Sequence, residues 1–301
     1  MKILVTGSNG LLGQKLVARL RDEPGVELVA TSRGVNKLAA VYPEVRFVTL
    51  DVTDAAQVQQ VIAQERPTHL IHTAAMTHVD ECELNQASCW QQNVTAVANL
   101  VAVCEQYHVH LLHLSTDFIF SGETGPLDEA AQPAPVNFYG QSKVAAEQLV
   151  QACAVPWAIL RTVLVYGTAH DYGRTNIVTW VRDSLRAGKA INVVNDQVRT
   201  PTLVEDLAAG CWLAAQRNAT GIYHLSGAEL LTPYQMALQV AAYFGLDASL
   251  ITAVDANTFS QPARRPLRTG FIIEKAQREL GYQPHSFADG IALVAQQTEL
   301  L

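Results

Sequence analysis

Along the first half of the chain, short unbroken apolar runs alternate with stretches whose apolar residues recur every three or four positions. KILVT at residues 2–6 reads as a buried strand, and GLLGQKLVARLRD, with Leu12, Leu16 and Leu20 on one face, as a helix. VELVATS and VRFVTLD are the second and third strands. The helix DAAQVQQVIAQE follows them, with Asp54 as its N-cap. THLIHTAA is the fourth strand. A long helix is expected from about Gln86 to Tyr107, then VHLLHLS as the fifth strand. A loop rich in Gly and Pro, SGETGPLDEAAQPAPVN, leads to a helix from about Phe138 to Cys153, and WAILRT is the sixth strand. Strands rich in Val, Ile and Leu and separated by helices imply a parallel sheet covered on both faces. Right-handed crossovers leave the doubly wound α/β sheet as the leading topology.

After Gly167 the pattern loosens. Helices are expected near Thr175–Ala187, over DLAAGCWLAAQ, and near Pro233–Phe244, Glu274–Leu280 and Phe287–Gln296. AINVV and GIYHLS read as strands. No linker, repeat or low-complexity tract divides the 301 residues, a length that suits one large α/β domain or a large domain with a small one.

Composition narrows the classes. With 49% hydrophobic and 16% charged residues the chain can build a sizeable core. A net charge of -7 gives no long-range attraction to nucleic acid or anionic lipid, so neither is an expected partner. The five cysteines are odd in number and form no CxxC pair, which argues against a disulfide framework or zinc site and favours a reducing cytoplasm. No apolar run reaches transmembrane length, and the start of the chain reads as a strand rather than a signal peptide. His108, His110 and His113 lack a carboxylate at ligand spacing, and no metal is expected.

TGSNGLLG follows the first strand and opens the first helix. Gly7 permits a tight turn, Gly10 lets the backbone approach a pyrophosphate, and Gly13 lets helix and strand pack closely. Asn9, Leu11 and Leu12 complete the turn, and the helix N-terminus offers N–H groups to phosphates. A plain Gly-rich turn is the competing reading. At the end of the second strand, Ser32 and Arg33 offer donors and a positive charge that suit the 2′-phosphate of NADP, so NADPH is the expected cofactor, with NADH also accepted. The alternative is a solvated loop arginine. Asp51, followed by Val52, either accepts from an adenine amino group or only starts a turn. The small residues of HTAAMT, with Ala74, Ala75 and Thr77, let a cofactor lie against the backbone.

Thr116 at the end of the fifth strand and Tyr139 and Lys143 on the following helix suggest chemistry. Tyr139 and Lys143 are four apart and share a helix face. A carbonyl that receives hydride needs a proton donor. A nearby ammonium should lower the phenol pKa, and a strand-end hydroxyl can hold the carbonyl oxygen.

TGSNGLLG, AAMTHVDECE, STDFIFSG, FYGQSKVAAE, RTVLVYG, RTPTLVEDLA, GIYHLSG and ARRPLRTGF occur in order over nearly the whole chain. In these the chain resembles the extended short-chain dehydrogenase/reductases, and among them the dTDP-4-dehydrorhamnose reductase branch. The resemblance implies a Rossmann domain over residues 1–166, completed by about 203–225, with a smaller substrate-binding α/β cap from 167–202 and 226–301. It assigns catalysis to Thr116, Tyr139 and Lys143. It places Asn93 as a support for the lysine, Thr77, Val79 and Asp80 beside the sugar, and Thr162 beside the nicotinamide. Arg264 and Arg265 either meet a substrate pyrophosphate or lie in solvent. The segment TSRG departs from the acidic segment of many such reductases and shifts the expectation toward NADPH. The implied activity is reduction of the 4-keto group of a nucleotide-activated deoxy sugar by a cytoplasmic monomer or homodimer. The alternatives are a nucleotide-sugar epimerase or dehydratase, and an NADP-binding regulatory protein similar to the regulatory subunit of methionine adenosyltransferase.

Overall fold

The computed structural model describes residues 1–170 and 175–299; residues 171–174 and 300–301, which the expected cap includes, lie outside the described residues. The chain order begins β1 (Lys2–Thr6), α1 (Leu11–Leu20), β2 (Glu27–Ser32), β3 (Arg46–Thr49), α2 (Ala55–Glu65) and β4 (His69–His72). Next come α3 (Val79–Leu84), α4 (Gln86–Trp90), a π-helical turn (Gln91–Thr95), α5 (Ala96–Tyr107), β5 (His110–Thr116), α6 (Phe138–Gln151), β6 (Trp157–Thr162) and β7 (Val165–Tyr166). The remainder is α7 (Ile177–Arg186), β8 (Ile191–Val194), β9 (Thr202–Leu203), α8 (Val204–Gln216), β10 (Gly221–His224), α9 (Pro233–Phe244), β11 (Ile251–Val254), α10 (Glu274–Leu280) and α11 (Phe287–Glu299).

Seven parallel strands form one sheet in the order β10-β6-β5-β4-β1-β2-β3. This is the doubly wound Rossmann order, whose direction reverses between β1 and β4 and opens a crevice at the strand ends there. The sheet stays parallel because each strand is apolar on both faces and must be covered twice. Ile3, Val5, Leu112 and Leu160 pack with Leu16, Leu20, Leu207 and Cys211 on one face. Leu4, Leu70, Leu111 and Ile159 pack with Val58, Val97, Leu100 and Val150 on the other. All five cysteines are buried thiols. A third core, with Val178, Val181, Val193, Met236, Val240, Ile251 and Ile291, joins α7, α9, α11 and the small parallel sheet of β8 and β11 into the cap.

Two expectations change. The helix expected from Gln86 to Tyr107 is two α-helices joined by the π-helical turn, and the separate helix α3 precedes it. β11 did not stand out in the sequence because its four residues are buried only at Ile251 and partly at Val254. Among the described residues no helix is long and apolar enough to cross a membrane, and no group of three or more His, Cys, Asp or Glu could hold a metal ion.

Candidate active site

The turn after β1 is held open by two glycines. Gly7 has φ +71, and a Cβ there would lie 2.8 Å from Thr73 Oγ1 and 2.9 Å from the Ala74 nitrogen. A Cβ on Gly13 would come within 2.1 Å of the Gly7 carbonyl oxygen, so only glycine lets α1 pack this close to the turn. Gly10 is the N-cap of α1 and brings no capping side chain. The positive end and first N–H groups of the helix are therefore available to an anion. Gly10, Leu11, Leu12 and Gly13 line a cavity of about 570 Å³, of the size that takes a small-molecule ligand.

His72, Thr73, Ala74, Ala75, Thr77 and Val79 line the same cavity from the β4 side, and Ser115, Thr116 and Asp117 line it from the end of β5. Strand register sets Thr116 beside Thr162 of β6, which also lines it. Tyr139 and Lys143 enter from α6. Asn137 caps this helix by accepting from the Gly140 nitrogen at 2.8 Å, and its amide reaches the Arg264 carbonyl at 2.7 Å. A Cβ on Gly140 would fall 2.2 Å from the Phe118 carbonyl oxygen, so a small residue lets the first turn of α6 press on the end of β5. Thus Thr116 at the end of β5 and Tyr139 and Lys143 on α6 face one space with the glycine turn.

The electrostatics differ from the expectation. The Lys143 ammonium turns to the Leu114 carbonyl at 2.6 Å and to His113 Nε2 at 3.2 Å, and the phenol is raised rather than lowered. Burial raises the Tyr139 pKa above its ordinary 10.0, and a hydrogen bond with Thr116 only partly opposes this. Burial lowers Lys143 to about 8, partly offset by the Glu147 carboxylate and Cys89. Glu147 makes a bidentate pair with Arg161 at 3.0 and 2.7 Å, both side chains 2% exposed.

A smaller cavity of about 230 Å³ shares Gly10, Thr73, Ala74 and Ala75 with the larger one, and Gly7, Ser32, Arg33, Asp51 and Val52 line it too. Arg33 lies in the exposed loop and donates to Gln92 Oε1 at 3.3 Å. For Asp51 the turn-holding reading is the one the hydrogen bonds display. The residue lines this cavity, and its Oδ1 accepts from the Thr53 nitrogen and hydroxyl at 2.9 and 2.8 Å to hold the turn. Burial pushes the Asp51 carboxyl up, but the Thr53 bonds and the Arg33 charge outweigh it and hold the pKa below the ordinary value.

Two expected cofactor residues stand elsewhere. The Asn9 amide donates to the Val35 carbonyl at 2.9 Å and accepts from the Lys37 nitrogen at 3.0 Å, so it ties the glycine turn to the loop after β2. Asn93 is 1% exposed; it bonds both the nitrogen and the carbonyl of Met76, at 2.8 and 3.0 Å, behind the cavity wall. Arg265 is committed to Asp80, with bonds of 2.6 and 2.7 Å, and so pins the C-terminal segment to α3. Arg199 was missed by the sequence reading. It pairs with buried Asp117 at 3.7 Å and donates to the carbonyls of Val198 and Leu267 at 2.8 and 3.0 Å. His113 was missed too, because only the β4–β5 register and the packing of α6 bring it to Lys143.

Residues 1–300 match the family model described as RmlD substrate binding domain. The dTDP-4-keto-6-deoxy-D-glucose reductase of Streptomyces niveus is 33% identical over 93% of this chain and 91% of its own. A probable low-salt glycan biosynthesis reductase of Haloferax volcanii is 30% identical over 97% and 96%. Among solved structures, the dTDP-4-dehydrorhamnose reductase of Bacillus anthracis in complex with NADP is similar at TM-score 0.83 and 28% identity, over 98% of this chain and 99% of that one.

Proposed function

We propose, since the chain belongs to the RmlD substrate binding domain family, that it is an NADPH-dependent reductase of the 4-keto group of a nucleotide-activated deoxy sugar, with NADH a weaker substitute. The observation that carries the reading is the convergence of Thr116, Tyr139 and Lys143 on the cavity that the glycine turn also lines. The residues fit a dinucleotide. The uncapped start of α1 suits a pyrophosphate, and Arg33 beside the adjoining cavity suits a 2′-phosphate. The family names of the relatives, reductases of dTDP-keto sugars among them, support the substrate class.

When bound, the nicotinamide supplies a hydride to the carbonyl carbon. The rest falls to this chain. Thr116 and Tyr139 both line the cavity with a hydroxyl, and each can turn its single donor to the carbonyl oxygen as charge gathers there. Tyr139 donates its proton to the alkoxide. Burial keeps the phenol protonated through neutral pH, and an alkoxide is a far stronger base than a phenolate, so transfer is downhill. Lys143 places a cation one helical turn from Tyr139 and offsets the phenolate left behind. Its remaining N–H would be free to hold a polar group of the cofactor.

Tyr139→Phe removes only the phenol oxygen. It should bind NADPH with the parent Kd and lose roughly 10²–10⁴-fold in kcat on a dTDP-4-keto-6-deoxy sugar, the range that general-acid catalysis supplies. Parent turnover by the variant would refute the assignment. So would parent protein that binds NADPH but oxidises it with none of a panel of nucleotide-activated keto sugars.

A further inference from the structure

Beneath the cavity floor, strand register lines up three polar side chains. Thr6 of β1 pairs with His72 of β4, and His72 pairs with His113 of β5. Thr6 Oγ1 and His72 Nδ1 are 2.7 Å apart, and the two imidazoles stack with centroids 5.4 Å apart at 24°. His113 is 1% and His72 2% exposed. Lys143 closes the row from α6, with its Nζ 3.2 Å from His113 Nε2. Such a row of polar groups under a sheet is costly, the more so because His113 Nδ1 is buried with no hydrogen-bond partner among the described residues, so its retention needs a reason.

Charge decides which partner carries the proton. Burial, the Lys143 charge and His72 together hold His113 well below 6.5, and burial with Lys143 holds His72 at about 3. Both rings are neutral wherever the protein is folded and Lys143 is charged. A neutral ring offers one acceptor nitrogen, and an ammonium offers three donors and no acceptor. Lys143 therefore donates to the Leu114 carbonyl and to His113 Nε2, and one N–H is left for the cavity that Lys143 lines. Two fixed bonds of three determine where the last one points.

We propose that His113 is a positioning residue: its Nε2 holds the Lys143 ammonium charged and aims its remaining N–H into the cofactor cavity. The proposal rests on the role given to Lys143 above. The other titratable groups that act on Lys143 are Glu147, on the next turn of α6 and paired with Arg161, and Cys89 of α4, whose Sγ lies 3.5 Å from Ser142 Oγ. Both favour the charged lysine and stay in place when His113 is changed.

The test compares His113→Phe, which keeps a ring against His72 but removes the acceptor, with His113→Gln, which restores an acceptor oxygen. The readout is the Lys143 titration midpoint, followed by ¹³C NMR of lysine-labelled apoprotein, together with the Kd for NADPH against pH. The parent should titrate near pH 8. A lost bond to a charged donor should lower the midpoint of His113→Phe by roughly 1–2 pH units and move the alkaline loss of NADPH affinity down with it. His113→Gln should return both most of the way. If His113→Phe does not fold by circular dichroism, His113→Leu takes its place. A midpoint that is unchanged or raised would overturn the proposal, since a raised value means that His113 donates to a neutral amine. Lys143→Met separates the two levels of argument. If it keeps parent turnover and NADPH affinity, the proposed role of Lys143 fails. If it loses both while His113→Phe leaves the midpoint in place, only the positioning role fails.

Discussion

Among the described residues Arg33 is the one cation on the wall of the smaller cavity, and its surroundings make the effect of Arg33→Ala calculable. In the structure its guanidinium donates to a neutral amide oxygen, Gln92 Oε1, at 3.3 Å. Turning it toward a 2′-phosphate gives up a long, weak bond and gains a charge-assisted one worth roughly 1.5–3 kcal/mol. That range is about 10–100-fold in affinity. Asp51 sharpens the expectation. Its carboxylate lines the same cavity, and the Arg33 charge is one of the influences that keep it ionised. Without Arg33 a 2′-phosphate meets an uncompensated negative charge, so the loss should fall toward the upper end. NADH has no 2′-phosphate and should keep its Kd within about twofold. Arg33→Lys should lie between, because a point charge replaces a fork. The assay is a fluorescence titration with each reduced nucleotide at low salt and at about 0.15 M, where screening acts over roughly 8 Å and the exposed pair should weaken. An unchanged NADPH-to-NADH ratio in Arg33→Ala would refute the reasoning and return Arg33 to solvent.

Two further perturbations probe the frame. Glu147→Ala leaves the Arg161 guanidinium, 2% exposed, without its carboxylate. Breaking a buried pair costs about 3–5 kcal/mol, which should appear as a fall in Tm of roughly 6–15 °C; a loss below about 2 °C would mean that water or a rearranged partner rescues Arg161. Gly13→Ala would set a Cβ 2.1 Å from the Gly7 carbonyl oxygen, a backbone atom that cannot swing aside. α1 must then move from the turn, and NADPH affinity should fall by about tenfold or more in a protein that still melts cooperatively. Parent affinity would show that α1 does not set the geometry of this site.

What the sequence revealed of the site was what a single element carries. Tyr139 and Lys143 were legible because a four-residue spacing on one helix is enough to put them on one face, and Gly7, Gly10 and Gly13 because one turn holds all three. Residues that act through other elements were not legible. His113 looked like one of three unremarkable histidines until the β4–β5 register set it beside His72 and α6 brought Lys143 onto it. The Asn9 amide, counted with the cofactor-binding turn from its place in the glycine motif, is spent on Val35 and Lys37 of a loop that follows β2. The same rule holds for the fold. The strands of the main sheet are apolar on both faces and announced themselves, whereas β11 buries so little that its pairing with β8 is decided by the cap around it.

The long-range ties also decide what the C-terminal segment is for. Arg199 holds Asp117 at the end of β5 and the backbone of 266–267, and Arg265 holds Asp80 on α3. Burial penalises charge on both members of the first pair, raising the Asp117 pKa and lowering that of Arg199, although each opposes the shift of the other. A buried pair of this kind is weak evidence of stability. It does fix position: Asp117 follows Thr116 directly and accepts from its hydroxyl at 3.2 Å. The segment around Arg265 is therefore tied to elements that border the site rather than left as a tail, and the arginines that the sequence offered to a pyrophosphate divide accordingly, Arg265 to Asp80 and the Arg264 carbonyl to the cap of α6.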